Sequence, residues 1–93
     1  MVGTKYPEKI YEVRKMARST LVEILTKKPL TTAEIRTEIK KHFPKNCDDS
    51  IKCECGKGSN VKEWEHQVAW AIQDVKYHRK IIRIENKYAL NEE

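Results

Sequence analysis

A small α+β domain, mainly helical, is what this sequence predicts, on three observations. Apolar residues recur at three- and four-residue steps through most of the chain. Prolines and capping residues punctuate those stretches. A β-branched run, Ile81-Ile82-Arg83-Ile84, follows the last of them. At 93 residues the chain reads as a single domain with one modest core. A hydrophobic fraction of 39% beside 35% charged residues supports a packed interior.

The first helix is expected at about residues 7–27. Pro7 suits a first helical turn, where its missing N–H costs nothing. Ile10, Val13, Ala17, Leu21 and Ile24 form one apolar stripe, while Lys9, Glu12, Lys15, Arg18 and Glu23 take the other side. Lys27 and Lys28 complement the C-terminal end of the dipole, and Pro29 stops the helix.

A second helix is expected at about residues 31–43. Thr31 and Glu34 have capping-box spacing. Ile35, Ile39, His42 and Phe43 line one face, and Pro44 ends it. From about residue 45 to 59 periodicity disappears. This long loop holds Cys47, Cys53 and Cys55 together with Asp48 and Asp49, and irregular segments of such length are usually functional or stapled.

The third helix is expected at about residues 60–80, with Asn60 as N-cap and Glu63 three residues on. Val61, Trp64, Val68, Ala71, Ile72 and Val75 gather in one sector. Lys62, His66, Ala69, Trp70, Gln73, Tyr77 and Lys80 occupy the opposite one. Two short strands at about residues 81–84 and 88–90 flank a Glu85-Asn86-Lys87 turn. Three helices followed by a hairpin is the order of a winged helix-turn-helix.

The net charge is +5 with a sequence pI near 9.2, which suits a polyanionic partner. No apolar run approaches the ~20 residues that span a membrane, and none follows the N-terminus as in a signal peptide. An odd count of three cysteines fits no disulfide framework, so a reducing cytoplasm is the expected compartment.

The run from Trp64 to Lys76, with Val68 and Trp70-Ala71 at its centre, resembles the third helix of the winged-helix domain at the N-terminus of Mrr-type restriction proteins. The segment Cys47-Asp48-Asp49-Ser50-Ile51-Lys52-Cys53 is similar to one in winged helices that accompany restriction and modification enzymes. The resemblance spans roughly Leu30 to Leu90. It implies a DNA reader, with Pro29-Leu30 contributing a brief edge strand. Family members commonly carry a small residue and Gly between helix and wing, where this chain has His78-Arg79-Lys80. The chain has no room for the cleavage domain of that family.

The expected function is duplex DNA binding, as a small transcription regulator or the recognition part of a restriction-related system. The third helix would enter the major groove, with Lys62, His66, Gln73 and Lys76 facing it. Arg79, Lys80, Arg83 and Lys87 would lie on the backbone or minor groove. Glu63 and Glu65 oppose this, because carboxylates repel phosphates. The alternative is a protein–protein or homodimer module whose contact patch is Ala69, Trp70 and Tyr77. RNA is a weaker third option, since no aromatic sheet surface offers itself for stacking.

His42, Cys47, Cys53 and Cys55 offer the right chemistry and number for a structural zinc. The Cys53-Glu54-Cys55 spacing is tighter than usual, and the alternative reading makes Cys47 and Cys53 small buried hydrophobes and Cys55 an ordinary free thiol. Asp48 and Asp49 are expected to turn the loop through Asx hydrogen bonds. Neither a phosphate loop, a nucleophile elbow nor a metal-hydrolase motif occurs, so no enzymatic activity is expected.

Overall fold

The computed structural model describes residues 6–52 and 62–91. Helix α1 runs Glu8–Leu25, with Pro7 outside it as N-cap in an extended conformation. Its buried stripe is the one expected, Ile10, Val13, Ala17, Leu21 and Ile24, joined by Thr20 and Leu25. Thr26 and Lys27 donate to Glu23 and Ile24 across three residues, tightening the last turn. The helix thus stops two residues short of Lys27, ahead of Pro29.

Strand β1 is only Leu30–Thr31, and helix α2 follows at once over Thr32–His42. Thr31 serves both elements. Its hydroxyl accepts from Glu34 N at 3.2 Å and its own N–H donates to Glu34 Oε1 at 2.9 Å, so the capping box is complete. Ile35 and Ile39 are buried and Phe43 packs at the core edge. His42 does not join them. It is exposed, and its Nδ1 lies 2.9 Å from the Glu38 carbonyl, to which it donates.

Helix α3 covers Glu63–Tyr77, shorter at both ends than the sequence suggested. Lys62 is the N-cap, with no side-chain capping bond. Asn60 and Val61 lie outside the described residues. Trp64, Val68, Ala71, Ile72 and Val75 enter the core as expected, and Glu63 and Gln67 go in with them. Gln67 Nε2 donates to Glu63 Oε2 at 2.7 Å, which satisfies a pair that is otherwise costly to bury.

The C-terminus of α3 explains why Lys80 is not helical. Arg79 has φ 61°, Lys80 N donates to Val75 O at 3.0 Å and Arg79 N to Lys76 O at 2.9 Å. That pair of bonds is a Schellman motif with arginine in the left-handed position usually given to glycine.

Strands β2 (Ile81–Ile84) and β3 (Lys87–Leu90) form a hairpin in which Ile84 pairs with Lys87. Lys87 is therefore the first residue of β3 and not part of the turn. Glu85 has φ 58° while Asn86 does not share a positive φ, the sign pattern of a type II′ turn. Tyr88 pairs with Leu30 and Lys87 with Thr31, so the antiparallel sheet has the order β1-β3-β2. Leu30, Ile81 and Tyr88 turn inward onto the core. The described residues thus form a mainly helical α+β fold with three helices and a three-stranded sheet.

Candidate nucleic-acid interface

At about 100° per residue, the exterior of α3 divides into two strips. Lys62, Ala69, Gln73 and Lys76 make one, opposite the buried Trp64, Val68 and Val75. Gln73 and Lys76 are exposed, while Lys62 and Ala69 are half-buried. His66, Trp70, Asp74 and Tyr77 lie further round, on the flank beside α1. The sequence grouped these strips together, and the fold separates them.

The flank is organised by α1. Arg14 donates to both oxygens of Asp74, and Arg18 Nη1 reaches Asp74 Oδ2 at 3.3 Å. These bonds hold the Asp74 carboxyl below its ordinary pKa and raise that of Arg14. The Arg14 guanidinium also lies 5.7 Å from the Trp70 ring centroid, a cation–π contact. The His66 ring meets Trp70 at a tilt of 43° with centroids 5.9 Å apart, and its Nδ1 is 4.0 Å from Glu63. Trp70 nonetheless stays 46% exposed and Tyr77 83% exposed. Arg14 and His66 cover part of Trp70, and His78 meets the Tyr77 ring edge-on at 5.4 Å, so the described residues leave much of both rings open.

The described part of the long loop is tied down at several points. Asp48 Oδ1 accepts from Ser50 N at 2.9 Å and Ser50 Oγ at 2.6 Å, the expected Asx turn, and Asp48 Oδ2 pairs with Lys9 Nζ at 2.9 Å. Asp49 behaves differently. It accepts from Trp64 Nε1 at 2.8 Å and pairs with Lys40 and with Lys62, the latter at 3.9 Å. Both carboxyls are held below the usual carboxylate range, Asp48 far below it, first by their hydrogen bonds with Ser50 (Asp48) and Lys40 (Asp49). Lys52 and Lys62 form an isolated antiparallel bridge, and Glu63 N donates to Ile51 O at 3.0 Å. The loop thus sets where α3 begins.

Cys47 is buried, and burial pushes its thiol up to about 11. Of the other candidate zinc ligands, His42 is exposed on α2, and Cys53 and Cys55 lie outside the described residues. Among the described residues no three His, Cys, Asp or Glu side chains gather as a metal would require.

The cations around the candidate surface differ in their pairing. Lys9, Arg14, Arg18, Lys40, Lys41 and Lys62 each have a carboxylate partner. Lys76, Arg79 and Lys80 are exposed and form no ion pair among the described residues. Arg83 donates Nε to Glu85 O at 2.9 Å, which fixes its reach along the hairpin, and Lys87 is exposed near the Glu34 carboxylate. Lys76, Arg79 and Arg83 line one groove with Ile81 and Ile82.

Sequence reasoning missed α2. Ala33, Arg36, Thr37, Lys40 and Lys41 line a groove against Trp64 and Glu65 of α3. Arg36 has no ion pair among the described residues, and its buried Nε lacks a hydrogen-bond partner. The signal was present in the spacing of Arg36 and Lys40, one turn apart on the side away from Ile35 and Ile39.

Among the described residues no helix is long and apolar enough to cross a membrane. Neither a family model, a curated protein nor a solved structure matches the chain.

Proposed function

We propose that the chain is a winged-helix protein that binds duplex DNA. The single observation that carries this reading is the run of cations without carboxylate partners, Lys76, Arg79 and Lys80, beside exposed Gln73 and continuing onto Arg83 and Lys87. Exposed cations without a carboxylate partner suit a phosphate backbone, and the net charge of +5 agrees with such a partner. The element order and the β1-β3-β2 sheet support α3 as the groove-entering helix and β2-β3 as the wing. In this reading Gln73 meets base edges and Lys76 a base or phosphate. Arg79, Lys80, Arg83 and Lys87 hold the backbone, and Arg36 does so from α2. Lys62 contributes less, because Asp49 shares its charge, and His66 is turned toward Trp70. The resemblance to restriction-associated domains favours a recognition component or regulator over an enzyme.

Fluorescence anisotropy with mixed-sequence duplexes at low salt tests the reading. Binding is expected to weaken steeply as salt rises, and Lys76→Ala to reduce the log–log salt slope by about 1. No binding to any duplex at low salt sinks the proposal.

The exposure of Trp70 and Tyr77 on one flank favours a second reading, self-association through that flank. It requires a dimer in light scattering that Trp70→Glu dissociates.

A further inference from the structure

We propose that a second cationic groove, on the other side of α3, holds the sugar-phosphate backbone of a second duplex, so that one molecule bridges two DNA segments. This rests on the reading of the first face as a DNA surface.

The groove is a cleft of about 580 Å³ where the outer side of α1 meets the turn from α3 to β2. Lys15, Arg18, His78 and Lys80 line it, with Ser19 between them and Val22 and Val75 forming its apolar part. None of the lining residues is acidic. Val75 belongs to the inward sector of α3, far round the helix from Gln73 and Lys76, so the cleft and the first face look in different directions and meet at Lys80, which borders both.

Charge in the cleft is uncompensated for a specific reason. Asp74 is the carboxylate that Arg18 reaches, and Arg14 already occupies both of its oxygens. Arg18 is the second guanidinium on that one carboxylate, at the longer distance of 3.3 Å. Two arginines share one negative charge, so one positive charge is in excess. Lys15 adds its own, with no ion pair among the described residues, and Lys80 at the boundary serves one duplex or the other.

The chemistry fits a nucleic-acid backbone better than an acidic peptide. Point charges and the Ser19 hydroxyl suit phosphate oxygens, and Val22 and Val75 suit the apolar face of deoxyribose. A phosphate-bearing strand also gains from releasing counterions at each lysine.

The test is capture of a labelled short duplex by protein held on an immobilised short duplex, both too stiff to bend round the protein. Wild-type protein, shown by light scattering to bind a short duplex in solution as a monomer, is expected to retain the label. Lys15→Glu with Ser19→Glu places two carboxylates in the cleft on exposed helical positions. This variant is expected to bind the first duplex within about twofold of wild type and to lose label capture about tenfold. Circular dichroism confirms that it folds. Three outcomes overturn the proposal: no capture by wild type that binds the first duplex, capture unchanged in the variant, or displacement of the label by polyglutamate more readily than by free duplex. Failure to bind even the first duplex instead overturns the parent reading, and this one with it.

Discussion

Arg14 grips Asp74 with two parallel hydrogen bonds, Nε to Oδ2 at 2.7 Å and Nη2 to Oδ1 at 2.9 Å. The pair joins α1 to α3 across the flank that carries Trp70. Fork-on-fork geometry makes it stronger than an ordinary surface pair, although the arginine is nearly half exposed. Asp74→Ala is expected to cost about 1 kcal/mol, read as a lower denaturant midpoint with an unchanged slope. A double-mutant cycle with Arg14→Ala should return most of that as coupling, and additivity of the two would show that the pair contributes nothing.

Stability is expected to fall at both ends of the pH scale. Asp48, Asp49, Asp74 and Glu34 all have depressed pKa values in the folded chain. Their contribution is complete above the unfolded carboxylate values, about 4, and is lost as pH drops below that through the folded values. Cys47 has the opposite sign. Its thiol is raised to about 11, so the folded state keeps a proton that the unfolded state releases, and stability declines from about pH 9 up to that value. Thermal melts across the range check both arms. A melting temperature that does not change between pH 5 and pH 2 contradicts the acid arm.

Arg79→Gly should move stability and binding in opposite directions. The backbone at Arg79 has φ 61°, which glycine adopts without penalty, so the variant is expected to gain about 0.5–1 kcal/mol. It also removes a cation proposed to meet the backbone, so duplex affinity should drop while the melting temperature rises. A parallel fall in both would mean that the side chain supports the fold.

Cys47 should resist alkylation in the native protein. Burial removes both access and the thiolate form. Peptide mass spectrometry after iodoacetamide treatment is expected to find it modified only under denaturing conditions. Rapid native labelling of Cys47 would place it outside the core.

What the sequence disclosed follows the range of each interaction. The α1 stripe and the Thr31–Glu34 box depend on residues three or four apart, and both appear as read. The entry to α3 does not, because Asp49 and Ile51 fix it through Trp64 and Glu63. Burial of Glu63 depends on Gln67 being its partner inside the core, which a polar pattern cannot reveal. The flank cations were likewise opaque, since Arg14 and Asp74 meet only once α1 packs on α3. On the candidate surface, Gln73, Lys76 and the hairpin cations were legible from helical spacing and charge. Arg36 was passed over because α2 was read for its core side.

The pairing of Leu30 with Tyr88 has a kinetic consequence. The two-residue strand β1 is separated from its partner in sequence by α2, α3 and β2, whereas β2 and β3 meet across two residues. Closing so long a loop for so few hydrogen bonds makes β1 a late event on the folding pathway. Substitutions at Leu30 should then leave the rate of folding nearly untouched and accelerate unfolding instead.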